Sequence, residues 1–146
     1  MKIFNRRARH DYEILESFET GIVLSGPEVK SVRSGRMSLD GSFVRIMGSE
    51  IYLVNAQIFL YPYARPENYQ ERRTRKLLMH KNEIITLKSK LTSSASTLIP
   101  LECYISKGFF KLKIALAKGK KEYQKREKIR RRDIDRDTQR EIRDKK

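Results

Sequence analysis

Apolar runs in this chain are short, and turn residues separate them. Gly21-Ile22-Val23-Leu24 predicts a strand, whereas Asp11 to Phe18 before it is mixed in polarity and shows no period. Gly26-Pro27 marks a turn, with Pro27 suited to the first helical position, where its missing N–H is not needed. The stretch from Glu28 to Ser34 predicts one to two helical turns ended by Gly35. Val29 and Val32 face inward there, which leaves Lys30 and Arg33 together on the other face. Ser42–Met47 and Ile51–Ile58 are β-branched and aromatic around Gly48-Ser49-Glu50 and predict a hairpin. Tyr61 to Tyr69, with prolines and tyrosines, reads as an irregular loop. Apolar residues at 77, 78, 84, 87 and 91 approach the helical period and predict a helix from His80 to about Leu91, then a polar loop to Ser96. Thr97–Tyr104 and Phe109–Ala117 flank Lys107-Gly108 and predict a second hairpin. Its second strand alternates, Lys111 and Lys113 pointing one way, Leu112 and Ile114 the other.

This order is mainly β, with two inserted helices and no βαβ repetition. It predicts a small, partly open antiparallel barrel over residues 1–117. Residues 118–146 form a basic tail. They hold 14 Lys/Arg against 7 Asp/Glu, and the isoleucines at 129, 134 and 142 share no helical face, so no apolar stripe docks the segment. Glu122–Arg126, Glu127–Arg131 and Glu141–Lys145 are spaced for i,i+4 pairs. The expectation is a tail disordered alone and helical against a polyanion, the ordering entropy being lost on binding. A solvated linker is the plainer use of such a composition.

The charge of the whole chain sharpens this picture. Net +15 over 146 residues favours phosphate-rich partners and salt-dependent binding. No long apolar span or amphipathic stripe suggests a membrane, and MKIFNRRARHDY lacks the apolar stretch of a secretory signal. One cysteine, Cys103, allows no internal disulfide and suits a reducing cytoplasm. It sits in an apolar run, as a core residue does.

Candidate contacts cluster by charge. Asn5-Arg6-Arg7-Ala8-Arg9-His10 is a basic arm whose guanidinium forks fit phosphates or a guanine edge. A mobile terminus without a fixed role is the alternative. Arg72 to Lys76 is a second cluster, from which Arg75 and Lys76 are RNA-binding candidates. Lys111 and Lys113 are read as aligned with Lys118, Lys120 and Lys121 in one cationic row, although lysines on strands more often only solvate a sheet face. Glu19 is a lone acid in a basic body, able to balance charge or to accept from a base or ribose hydroxyl. His10 beside Asp11 is a weak pair if the chain is extended there, because adjacent side chains then diverge. Lys118-Gly119-Lys120-Lys121 lacks the spacing of a nucleotide-binding loop, and no HExxH or Gly-x-Ser-x-Gly occurs. No cofactor, metal or covalent chemistry is expected. That argues against an RNA-processing enzyme, while a structural ribosomal protein would share the basic tail.

Asn-Arg-Arg-Ala-Arg-His-Asp-Tyr at 5–12, Phe18 to Gly35, Arg-Lys-Leu-Leu-Met-His-Lys-Asn-Glu-Ile at 75–84 and Lys-Ile-Ala-Leu-Ala-Lys-Gly-Lys-Lys at 113–121 resemble, in order and spacing, the SsrA-binding protein (small protein B) family. The resemblance implies an oligonucleotide-binding-type barrel that binds the tRNA-like domain of transfer-messenger RNA and acts in trans-translation on stalled ribosomes. Delivery with elongation factor Tu, as a monomer in the cytoplasm, is implied as well. Asn5, Arg6, Arg9, His10 and Glu19 match the family's RNA-facing patch. Lys30 and Arg33 match its first-helix block, and Lys111, Lys118, Lys120 and Lys121 its basic strand end. Beyond them the family's tail enters the decoding region and mRNA path. Here that implies ribosome contacts for Tyr123, Lys125, Arg126, Lys128, Arg130, Arg131 and Arg132, with Gln124 standing where many relatives carry Asp.

Overall fold

The computed structural model describes residues 1–62 and 68–120. Among the described residues, nine strands and three helices follow in the order β1 (Lys2–Phe4), α1 (Ala8–Asp11), β2 (Tyr12–Ile22), α2 (Gly26–Arg33), β3 (Met37–Ser38), β4 (Phe43–Met47), β5 (Glu50–Val54), β6 (Gln57–Ile58), β7 (Arg75–Leu78), α3 (Lys81–Ser94), β8 (Thr97–Ser106) and β9 (Phe109–Gly119). The main sheet runs β1-β8-β4-β5-β7-β2-β9, and β8 also pairs with β9. Six strands therefore close into an antiparallel ring, with β1 added along β8, while β3 and β6 pair separately. The expected barrel and both of its inserted helices are present.

Both predicted hairpins form. Gly48 has φ +64° in the first turn; Lys107 and Gly108 have φ +51° and +81° in the second, the two left-handed residues that suit the twist of the flanking strands. The helix α3 runs through Ser94 rather than stopping near Leu91, and ends on Ala95 in the left-handed conformation. β9 continues two residues past Ala117 to Gly119.

The 11-residue strand β2 is the main element that sequence pattern missed, and a bulge explains why. Pairing with β9 passes from Ile14↔Ala117 to Glu16↔Leu116, leaving Leu15 extra. Even-numbered residues therefore change face along the strand. Ile14 packs against a small cluster of Ala8, Ile99, Leu101, Ala115 and Ala117, whereas Phe18 and Ile22 belong with the main core. β8 carries a matching bulge between Pro100 and Glu102. Ile99 and Leu101 thus join the small cluster while Cys103, of the same parity, enters the main core with Leu112, Ile114 and Leu116.

One buried ion pair ties α2 to the barrel. Glu28 and Arg75 are 1% and 0% exposed. Arg75 Nε donates to Glu28 Oε2 at 2.7 Å, and its remaining nitrogens donate to the carbonyls of Ala56 (2.7 Å) and Glu71 (2.9 Å). Glu28 Oε1 accepts from the Ser25 N–H at 2.8 Å and from Arg73 at 2.5 Å. Burial opposes ionisation of Glu28, but the hydrogen bonds from Arg73 and Ser25 and the charge of Arg75 outweigh it, so its pKa lies below the ordinary value. A depressed carboxylate contributes stability that is present above its unfolded pKa and lost as pH falls through the folded one. Replacing Glu28 by Gln should therefore cost about 3–5 kcal/mol in urea unfolding at pH 7, because it leaves a buried guanidinium unpaired. The difference between wild type and variant should shrink as the pH is lowered below 4.5, the ordinary value. A pH-independent difference would contradict the assignment.

Candidate nucleic-acid interface

The basic arm is built into the fold. Its backbone is pinned by Asn5, whose N–H donates to the Leu101 carbonyl at 2.8 Å and whose Nδ2 donates to that of Pro100 at 2.9 Å. One turn of helix follows, too short for a periodicity to reveal. Ala8 is 2% exposed in the small cluster made by the two bulges, and this anchor leaves Arg6, Arg7 and Arg9 exposed around it. The helical turn also brings His10 and Asp11 together, with Nδ1 2.8 Å from Oδ1. The divergence expected of an extended chain is corrected by that turn. Lys120 closes the seam, its N–H donating to the Asp11 carbonyl and its Nζ to the Arg9 carbonyl at 2.7 Å.

Beside the arm, β9 presents Lys111 and Lys113 outward while Leu112 and Ile114 are buried. Register sets two rows across this face: Phe4, Glu102, Lys113 and Glu19, then Lys2, Tyr104, Lys111 and Gly21. Lys118 does not continue that row. β9 has no bulge of its own, so Lys118 has the opposite parity and stands across from Glu13. The Tyr104 hydroxyl donates to the Glu19 carboxylate. Desolvation, reinforced by that hydrogen bond, pushes the Tyr104 pKa up to about 12, so the phenol stays protonated and the carboxylate is held in place. Glu19, Gly21, Leu78, Met79, His80, Glu83 and Lys111 line one open hollow. A Cβ on Gly21 would come within 3.1 Å of the Leu78 Cβ, so glycine keeps Leu78 against the strand. Leu78 is 55% exposed, an apolar side chain on a charged face. The spacing of apolar residues places Leu78 in a helical period. The usable signal was the alternation Arg75-Lys76-Leu77-Leu78, in which Leu78 shares the parity of exposed Lys76.

The remaining candidates divide. Lys30 and Arg33 are exposed on α2, as expected, and Arg33 lies 5.9 Å from the Phe110 ring centre. Arg6 shares a hollow with Lys2, Gly35 and Met37, which links the arm to the end of α2. Lys76 is exposed but bonded to Glu50 at 3.0 Å. Arg75 is withdrawn from the RNA-facing set, because every guanidinium nitrogen is used inside the protein. Lys121, Tyr123, Lys125, Arg126, Lys128, Arg130, Arg131 and Arg132 lie outside the described residues. Burial pushes the Cys103 thiol up to about 12, which keeps it protonated and makes it a core residue. Among the described residues no group of three or more His, Cys, Asp or Glu could hold a metal ion, and no helix is long and apolar enough to cross a membrane.

The chain has close similarity to known proteins over nearly its full length. The SsrA-binding protein of Shouchella clausii is 48% identical over 140 residues, spanning 96% of this chain and 90% of that protein. Its counterpart in Pelotomaculum thermopropionicum is 48% identical over 140 residues, spanning 96% and 92%. A solved structure described as "tmRNA-SmpB: a journey to the center of the bacterial ribosome" contains a chain that matches at 47% identity. Its TM-score is 0.69, with 83% of this chain and 85% of that one covered. The family model described as SmpB protein matches residues 2–144, and the chain belongs to that family.

Proposed function

We propose that this protein binds the tRNA-like domain of transfer-messenger RNA and serves trans-translation on stalled ribosomes. The observation that carries the reading is the hollow in which Arg6 and Arg9, held by the arm and α1, stand beside Lys113, with Lys111 two residues along the same face of β9. Cations there meet phosphates, while Glu19 and Leu78 offer an acceptor and an apolar contact for unpaired nucleotides, the usual targets of sequence-specific RNA recognition. The family's named members, SsrA-binding proteins, support the choice of RNA. The role is binding, with no covalent step, and elongation factor Tu is the partner for delivery. The basic segment after Lys120 is proposed to occupy the decoding region and empty mRNA channel, with Tyr123, Lys125, Arg126, Lys128 and Arg130 to Arg132 as its contacts.

Binding of the tRNA-like domain should weaken steeply with salt. Neutralising about five phosphates gives a log–log slope of about −3.5 to −4.5, and replacing Lys111 and Lys113 together by Ala should make it shallower by about 1.4 to 1.8. Titrations in increasing KCl measure this, and a flat dependence refutes the basic-face reading. A chain ending at Lys120 should bind the same RNA with unchanged melting temperature yet fail to support peptide tagging on stalled ribosomes. Within the full chain, Ile134→Pro should cost about 3 kcal/mol of helix and reduce tagging while leaving RNA binding intact. Full tagging by either variant rules out the proposed role of the tail.

A further inference from the structure

Between α1 and the β8–β9 ladder lies a hollow of ≈ 240 Å³ lined by Phe4, Asn5, Arg6, Ala8, Arg9, Leu101, Glu102 and Lys113. It is smaller than the roughly 300–1,000 Å³ of typical small-molecule sites. Its chemistry is mixed in a way that phosphate binding does not explain. Glu102 puts a carboxylate among Arg6, Arg9 and Lys113. It stands directly across the ladder from Lys113 on one side and Phe4 on the other. Its carboxylate makes no hydrogen bond or ion pair among the described residues. Phe4 is 56% exposed at the wall of the hollow, a large apolar surface left open on a charged face.

An acid on a face that only met phosphates would repel them. A carboxylate beside an open aromatic ring instead suits a base, stacked on the ring and donating from its Watson–Crick edge. The two oxygens accept two parallel N–H bonds. Of the four RNA bases only guanine offers two adjacent donors, N1–H and the N2 amino group. Adenine and cytosine pair a donor with an acceptor, and uracil sets its donor between two carbonyls. The cations at the rim then meet the flanking phosphates. We infer that this hollow takes one unstacked guanine of the bound RNA, with Phe4 as its stacking platform and Glu102 as the residue that specifies it. This rests on the RNA-binding reading above.

The sign of one substitution separates this role from simple charge balance. Glu102→Gln removes a negative charge from a basic face. If Glu102 only balances Lys113, the variant binds the tRNA-like domain more tightly. If Glu102 holds guanine, the variant binds about tenfold more weakly, because one acceptor becomes a donor facing a donor. Fluorescence titration of the full-length protein with the labelled tRNA-like domain reads this, and an unchanged melting temperature shows that the fold is kept. In a second arm, GMP at millimolar concentration is added to the ¹⁵N-labelled protein. Amide signals of Phe4, Leu101 and Glu102 should shift with GMP, less with AMP, and not in the variant. Tighter or unchanged RNA binding by Glu102→Gln, or equal shifts with AMP and GMP, overturns the guanine site. Failure of the wild-type protein to bind the tRNA-like domain overturns the RNA reading itself, and the nucleotide arm still decides the chemistry of the hollow.

Discussion

The central constraint in this fold is that β9 pairs along nearly all of its length on both edges. Residues 111–119 pair with β2 and residues 109–117 with β8. A strand held on both edges cannot bend freely, so its partners bend around it. Each does so through one extra residue, Leu15 in β2 and Leu101 in β8. The two bulges, opposite Leu116–Ala117 and Lys113–Ile114 of β9, flip the faces of their strands and create the small apolar cluster under Ala8. That cluster seats α1, and α1 fixes where its arginines stand. The basic arm and the lysines of β9 are therefore neighbours as a consequence of barrel closure.

Charge is used in two opposite ways. Glu28 and Arg75 are removed from water, paired and fully hydrogen-bonded, and they lock α2 and the approach to β7 onto the barrel. Such a pair adds little net stability over a well-packed apolar substitute but is costly to break by halves. The outer face keeps its cations in solvent, where each adds modestly and long-range attraction to a polyanion dominates. Acids on that face are few and placed: Glu19 is held by Tyr104, and Glu102 stands open beside Phe4. A surface that only attracted phosphate would have no use for them.

The elements legible from sequence are those with local rules. Turn chemistry gave both hairpins, and Pro27 with Gly35 bounded α2. What stayed hidden depends on distant partners. β2 looked irregular because its bulge breaks the alternation that marks a strand, and the reason for the bulge lies about 100 residues away in β9. Arg75 and Lys76 are adjacent and equally basic, yet strand parity buries the first against Glu28 and exposes the second. Lys118 left the cationic row for the same reason of parity. The apolar spacing counts Leu78 into a helical period; only the sheet shows that it faces out beside Glu19 and Lys111.

Lysine reactivity footprinting tests the account most directly. The free protein and its complex with the tRNA-like domain are acetylated under identical conditions and compared by mass spectrometry. Lys113 and Lys120, which border the bulge-seated arm, and Lys111 on the same face of β9 should lose most of their reactivity in the complex. Lys88 and Lys90, on α3, should keep theirs. Protection of the α3 lysines with Lys111 and Lys113 left reactive would show that the RNA lies elsewhere, and would contradict the claim that barrel closure assembles its binding face.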